Sequence, residues 1–341
     1  MAGITIKEIA QKAGVSIGTV DRVLHNRGEV SDKTKQTVLS VCKEFGYEKN
    51  LIGKALEMQK KKRTVAVVIN GREKNSFSKM VHDGIEAKGK EISDYNICFE
   101  YYDLCHSSVE EEEAILEELL DKEIHGLIVK PMDDLRIVNL LQRMNEKNIP
   151  LVFCTSDLSG VERVAFVGQD HFNDGRTMAD MAHLLTKAKM KILIAVSSFE
   201  TLARRTRLQG FESWLKDKKI DYEIREICHL PKNHDDIKKT LFDSLSRNKD
   251  TNCLYINTTD ITAVLEAVDE AEYCGKAFSF GEKNKVEDYL LSNKLSFVIE
   301  EYPFRQGYES AEVMFNYLMN GICPNDKDYI FKGNILIEAN L

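Results

Sequence analysis

Residues 5–28 read TIKEIAQKAGVSIGTVDRVLHNRG, and this stretch decides how the N-terminal end of the chain is built. Thr5 and Glu8 form a T-x-x-E capping box, in which each side chain serves a free backbone N–H of the first helical turn. Ile6, Ile9, Ala10 and Ala13 recur at i, i+3, i+4 and i+7, one apolar face of a helix. Gly14 supplies the left-handed residue that ends it. Ser16 caps a second helix whose apolar face is Val20, Val23 and Leu24. Asn26, Arg27 and Gly28 make a loop. Ser31 and Asp32 open a third helix, with Val38, Val41, Cys42 and Phe45 expected to face inward and Gly46 to close it. Two short helices joined by a tight turn, then a packing helix, is the helix-turn-helix plan. A purely structural three-helix bundle shows the same periodicity. The outer face of the second helix, carrying Thr19, Asp21, Arg22 and His25, favours a surface that reads DNA.

Charge points the same way. The chain has 341 residues and a net charge of −8. Residues 1–63 nevertheless hold 13 Lys and Arg against 7 Asp and Glu, whereas the remainder holds 34 against 48. A basic head on an acidic body is expected where one end meets phosphate. The length suits two or three domains. Lys7, Glu8, Lys12 and Asp21 interrupt any apolar run that would read as a signal peptide, and no segment reaches the roughly 18 apolar residues of a membrane span. Eight cysteines without a C-x-x-C pair suit buried thiols in a reducing compartment. The expectation is a cytoplasmic protein that binds no metal, carries no cofactor and does not engage a membrane.

The stretch TIKEIAQKAGVSIGTVDRVLHNRGEVSDKTKQTVLSVCKEFGY resembles the DNA-binding headpiece of the lactose-repressor (LacI) family nearly position for position. NLIGKALE, residues 50–57, is similar to the family's hinge helix, and a looser likeness runs over the rest of the chain. The resemblance implies a homodimer on palindromic double-stranded operator DNA. It makes Ile17, Gly18 and Arg22 the base-reading positions, with Thr19 and His25 nearby and Thr5 and Ser16 approaching phosphates. Two residues depart from the family pattern. Gly18 offers no side chain, and Asp21 stands where the family commonly has Ser. Asp21 could accept from His25 one turn on, or from a cytosine amino group.

Residues 49–63 read KNLIGKALEMQKKKR. A helix this short is unstable alone in water, and Gly53 weakens it further. The resemblance implies that two such helices, one per subunit, fold together in the minor groove. Leu56 would then be the apolar wedge between base steps, with Asn50 and Lys54 on the backbone. Lys49 replaces the family's usual Pro. The domain reading is a headpiece over 1–48, a hinge and linker over 49–63, and a two-lobed effector and dimerisation domain over 64–341.

From Thr64 onward, short apolar runs alternate with helical stretches. TVAVVI, YNICFEYY, GLIVKP, PLVFCT, VAFVG, KILIAVSS, YEIREIC, CLYIN, AFSFG and FVIEE read as strands. Repeated β–α units predict an α/β fold of parallel sheets with helices on both faces. Two such halves resemble the type I periplasmic-binding-protein fold. Ligands of open α/β sheets bind beyond the carboxyl ends of strands. Those ends nominate Asn75, Phe77, Met132, Asp133, Thr155, Asp157, Ser197, Thr258, Gly281 and Glu301 as a pocket. RRTRLQGF adds Arg205 and Arg207, the latter placed where the resemblance implies a clamp on ligand hydroxyls. Sugar-binding relatives commonly carry Asp at the positions of Thr155 and Gly281, and Gln at that of Glu301. Asp157, Glu282 and Glu301 keep acceptors nearby, so the effector is read as a sugar or sugar phosphate, with an amine-bearing ligand as the variant. No nucleotide, nucleophile-elbow or zincin motif is present. Cys105-His106 reads as structural, and the EEEEAILEE run as a solvated helix face. The reading is a ligand-controlled transcriptional repressor and not an enzyme. The alternative is a cytosolic sugar-binding protein or sugar-processing enzyme with an incidental helical bundle.

Overall fold

The computed structural model describes residues 5–24, 30–45, 61–73, 76–106, 108–197, 202–258, 260–321 and 328–341. Its first three helices are α1 (Ile6–Ala13), α2 (Ile17–Leu24) and α3 (Asp32–Glu44). Ile9, Ala10, Val20, Val23, Val38 and Val41 meet as their common core. Both arms of the Thr5–Glu8 capping box form, and Gly14 ends α1 at φ +67°, its N–H donating to the Ala10 carbonyl. Phe45 departs from expectation. It stands 41% exposed, with the Lys12 ammonium 4.0 Å above its ring. Phe45 N still donates to the Val41 carbonyl at 3.1 Å, yet its ring lies at the surface against Lys12 and not in the core. His25, the loop 26–28, Gly46 and the hinge positions Asn50, Lys54 and Leu56 lie outside the described residues, as does Asn75.

The body holds two six-stranded sheets. The first contains β1 (Arg63–Asn70), β2 (Ile97–Leu104), β3 (Gly126–Val129), β4 (Leu151–Cys154), β5 (Ala165–Gln169) and β11 (Asp328–Phe331), in the order β11-β5-β4-β3-β1-β2. The second contains β6 (Met190–Val196), β7 (Tyr222–His229), β8 (Cys253–Asn257), β9 (Lys276–Gly281), β10 (Phe297–Glu300) and β12 (Ile335–Leu336), in the order β12-β10-β9-β8-β6-β7. Every pairing is parallel except β10 with β12. Each sheet is therefore doubly wound, and each reverses strand order beside its first strand. The helices are α4 (Ser76–Glu91), α5 (Val109–Leu120), α6 (Leu135–Glu146), α7 (His171–Leu185), α8 (Leu202–Asp217), α9 (His234–Arg247), α10 (Ile261–Glu270), α11 (Lys283–Leu291) and α12 (Pro303–Asn320). Among the described residues no helix is long and apolar enough to cross a membrane. Cys154, Cys228 and Cys253 are buried, but Cys105 and Cys274 are exposed, contrary to the expectation of buried thiols throughout.

The chain passes between lobes three times: from β5 into α7, from β10 into α12, and from β11 into β12. These crossovers are bonded to one another. Gln169 Nε2 donates to the Glu300 carbonyl at 2.8 Å, Asp170 N to the Phe331 carbonyl at 3.0 Å, and Glu300 N to the Asn334 carbonyl at 2.8 Å. Each crossover helix packs on the other lobe's first helix through glycine. A Cβ at Gly84 of α4 would lie 2.0 Å from the Phe304 carbonyl oxygen, and one at Gly307 of α12 the same distance from that of Val81. Gly175 of α7 and Gly210 of α8 repeat the arrangement against Arg207 and Phe172. Backbone sits on backbone at both crossings.

The acidic run of α5 is not wholly solvated. Glu112 has no exposed surface, because helical spacing puts it on the face of Leu116 and Leu119. Its Oε2 accepts from Met132 N at 3.1 Å, and Oε1 has no partner among the described residues. Burial pushes its pKa up to about 8, outweighing the Met132 N–H and Lys130.

Two outcomes follow from this packing. Gly307→Ala lowers stability by about 1–3 kcal/mol in urea titration, because the added methyl forces α12 off α4. Glu112 is protonated in the fold at neutral pH and ionised in the unfolded chain. Its folded pKa lies above the unfolded one, so its contribution falls as pH rises from about 4 to 8 and is constant beyond. Glu112→Gln removes that slope and is more stable than wild type at pH 8 by thermal melting.

Candidate functional site

The headpiece presents α2 outward. Ser16 Oγ accepts from Thr19 N at 3.1 Å and so caps its first turn. Ile17 stands 53% exposed, Gly18 and Arg22 are exposed, and Thr19 and Asp21 are half-buried. Arg22 Nε donates back to the Gly18 carbonyl at 3.2 Å. A side chain at position 18 would meet only Ser16 Oγ at 3.9 Å, so packing does not demand the glycine. The exposed hydrophobic Ile17 begins a short helix of the size that enters a major groove, and Arg22 stands one turn on from Gly18.

The second cluster lies where the carboxyl ends of the two sheets meet. At the first lobe's switch point, Asn70, Phe77, Lys130 and Thr155 surround a cavity of only 10 Å³. At the second lobe's, Ser197 and Thr258 hydroxyls bond at 2.6 Å. Arg207 reaches in from α8. It is 4% exposed, lies 4.2 Å over the Phe280 ring, and its Nη2 donates to Glu301 Oε1. Arg207 Nε has no partner among the described residues. Thr155 is 6% exposed, its Oγ1 is likewise unpartnered, and its φ of +64° is strained for a β-branched residue.

Two bonds join the lobes here. Arg205 Nη2 pairs with Asp133 Oδ2 at 3.0 Å, and Ser76 Oγ donates to the Glu282 carboxylate at 3.3 Å. Burial, with Glu301 beside it, raises the Glu282 pKa. Glu282 and Glu301 also line a groove of 470 Å³ with Met80, Tyr302 and Phe304, a volume suited to a small molecule.

Residues 5–50 match the family model for bacterial regulatory proteins of the lacI family, and residues 65–321 that of the periplasmic binding protein domain. The chain belongs to the LacI family. It is 32% identical over 160 residues to the HTH-type transcriptional regulator RegA of Clostridium saccharobutylicum, which spans 46% of this chain and 45% of that protein. With the HTH-type transcriptional regulator DegA of Bacillus subtilis it shares 26% identity over 266 residues, 77% and 76% of the two chains. The solved complex of the transcriptional regulator CelR with cellobiose shares the fold over 98% of each chain, with a TM-score of 0.62 and 19% identity. The match places this LacI-family chain among DNA-binding transcriptional regulators controlled by small molecules, not among enzymes.

Not every nominated residue of this LacI-family chain is open to a ligand. Arg163 holds both oxygens of Asp157, each at 2.8 Å, and also pairs with Asp328, so Asp157 is not the open acceptor it was expected to be. Met132 packs on the core under α5 and α6, and its N–H serves Glu112. A Cβ at Gly281 would lie 3.1 Å from Val286 Cγ1, so the position faces the Val286 side chain.

Two residues that strand-end reasoning passed over belong to the cluster. His171 and Asp174 begin α7, just past the carboxyl end of β5. Burial, Arg207 and Lys130 hold the His171 pKa well below the usual imidazole range. Burial raises Asp174 to about 6, while Oδ1 accepts from Gly333 N at 3.1 Å. The D-H-F-N-D run after VAFVGQ was the available signal.

Arg207→Ala is expected to cost about 3 kcal/mol in urea titration, because it strands the Glu301 carboxylate in a largely buried setting. Adding Glu301→Gln recovers most of that loss.

Proposed function

We propose that this chain acts in the cytoplasm as a homodimeric repressor that grips a palindromic operator and releases it when a sugar-type effector enters the interlobe cleft. The working division is a headpiece over 1–48, a hinge and linker over 49–63, and an effector and dimerisation body over 64–341. Ile17, Gly18 and Arg22 meet base edges, with Thr19, Asp21 and His25 alongside. Thr5 and Ser16 approach phosphates, while Asn50, Lys54 and Leu56 engage the minor groove. One juxtaposition carries the reading: an outward-facing α2 and a cleft holding the buried Arg207 occur in the same chain.

In the cleft, Arg207, Glu301, Thr155 and Thr258 contact the effector, and Phe77 supplies an apolar wall. Asp133 and Arg205 close the mouth. CelR, similar in fold, was solved with cellobiose, which supports a sugar as the ligand class. The 10 Å³ cavity beside Thr155 admits no sugar, so an effector that reaches Thr155 has to part the lobes there. A ligand that prefers the parted form shifts the equilibrium by its differential affinity, and the motion reaches the hinge helices through β1.

Arg22→Ala is expected to lose about 1–3 kcal/mol of discrimination between operator and scrambled DNA, the range of one bidentate Arg–guanine contact. Fluorescence anisotropy at fixed salt on a palindromic fragment from the gene's own upstream region measures it. Unchanged discrimination would overturn the assignment of α2.

A further inference from the structure

Arg63 closes the segment assigned above to hinge and linker, and it is the first residue of β1. The start of that strand is tied on both sides. Arg63 N donates to the Asn96 carbonyl at 3.0 Å, and His125 N to the Thr64 carbonyl at 2.7 Å. The Arg63 side chain makes a third tie, to a residue far away in sequence. Its Nη1 donates at 2.8 Å to the carbonyl of Leu318, in the last turn of α12. That carbonyl is one of the last four of the helix, which no intrahelical N–H reaches. Gly321 caps this end in the left-handed region, at φ +61°, but its N–H serves Tyr317 and not Leu318. The last turn of α12 carries no basic residue of its own, so Arg63 also supplies the cation that the negative end of the helix dipole favours.

The other end of α12 lies at the cleft. Tyr302 is its N-cap and Pro303 its first residue, directly after Glu300 and Glu301, and all four line the 470 Å³ groove. Between the two ends run 18 residues, about 27 Å of continuous helix. Among the described residues, α12 alone of the three crossovers joins the groove to the start of β1. We propose that α12 is the strut that couples the cleft to the hinge, and that the Arg63–Leu318 bond is its grip on the hinge side. The proposal rests on the operator and effector reading given above. Parting the lobes moves β10, to which α12 is joined at Tyr302. The helix carries that displacement to Leu318, where the bond to Arg63 is kept or broken. A bond that is made or broken gives the entry to the hinge two discrete arrangements, the kind of element that coupling between distant sites needs. The influence runs both ways. Operator that holds the hinge with Arg63 docked favours the closed cleft, and an effector that parts the lobes opposes it.

The test is hydrogen–deuterium exchange of the full chain, with and without a saturating palindromic DNA fragment from the gene's own upstream region, in wild type, Arg63→Ala and Arg63→Lys. The DNA is expected to protect the headpiece helices in all three proteins. In wild type it also slows exchange at 315–321 and, at the cleft end of α12, at 300–306, by about fivefold or more, the lower end of ordinary coupling between sites. In Arg63→Ala the slowing at 300–306 is expected to be lost, while circular dichroism shows the fold retained. Arg63→Lys, which keeps a cationic donor, retains part of it. An Arg63 that merely stabilised the fold would shift exchange equally with and without DNA, and the DNA-dependent difference would persist in Arg63→Ala. Headpiece protection without any change at 300–306 in wild type, or an undiminished change there in Arg63→Ala, would overturn the strut and leave the operator reading standing. Absence of headpiece protection in wild type would sink the operator reading and the strut with it.

Discussion

The carbonyl oxygen of Arg207 lies where a Cβ on Gly175 would come within 1.9 Å, and that of Phe172 within 2.0 Å of one on Gly210. Helices α7 and α8 can cross this closely only because Gly175 and Gly210 carry no side chain where each meets the other helix's backbone. The same contact recurs in the other lobe, between Gly84 and Gly307 with their neighbours. These crossings set where each crossover helix lies, and through it where the chain re-enters the opposite sheet. Arg207 is part of the crossing itself, so its guanidinium is delivered to the cleft by rigid backbone contact and not by a loop.

The crossovers add a second constraint. Gln169, Glu300, Gly333 and Asn334 come from three separate passages between the lobes yet share one hydrogen-bonded set. Asp174, nearly buried, accepts from Gly333 N within that set and has a pKa raised to about 6. A relative motion of the lobes therefore has to pass through bonds made by all three passages, which favours a small number of discrete arrangements over continuous bending.

Function in such a chain divides along charge. The basic N-terminal segment suits a polyanion whose grip depends on released counterions, whereas the body carries the opposite net charge. At the cleft, burial and the charges of Arg207 and Lys130 depress the His171 pKa, a local effect that net charge conceals.

The sequence alone determined the pieces whose physics is local. The capping box at Thr5 and Glu8, the Gly14 terminator, the apolar stripe of α1 and the strand runs from Thr64 onward each depend on residues a few positions apart, and all of them form. Arg207 stood out because an apolar turn follows it. What depends on distant neighbours was not readable. Glu112 looked like one more solvated carboxylate until α5 was packed on the sheet, and Asp157 looked like an acceptor until Arg163 took both of its oxygens. Phe45, on the stripe expected to face inward, lies at the surface against Lys12. His171 gave no periodic signal at all. Only the tertiary structure decided its state, because the Lys130 and Arg207 charges that govern it arrive from strands and helices of different lobes, and burial makes their field strong.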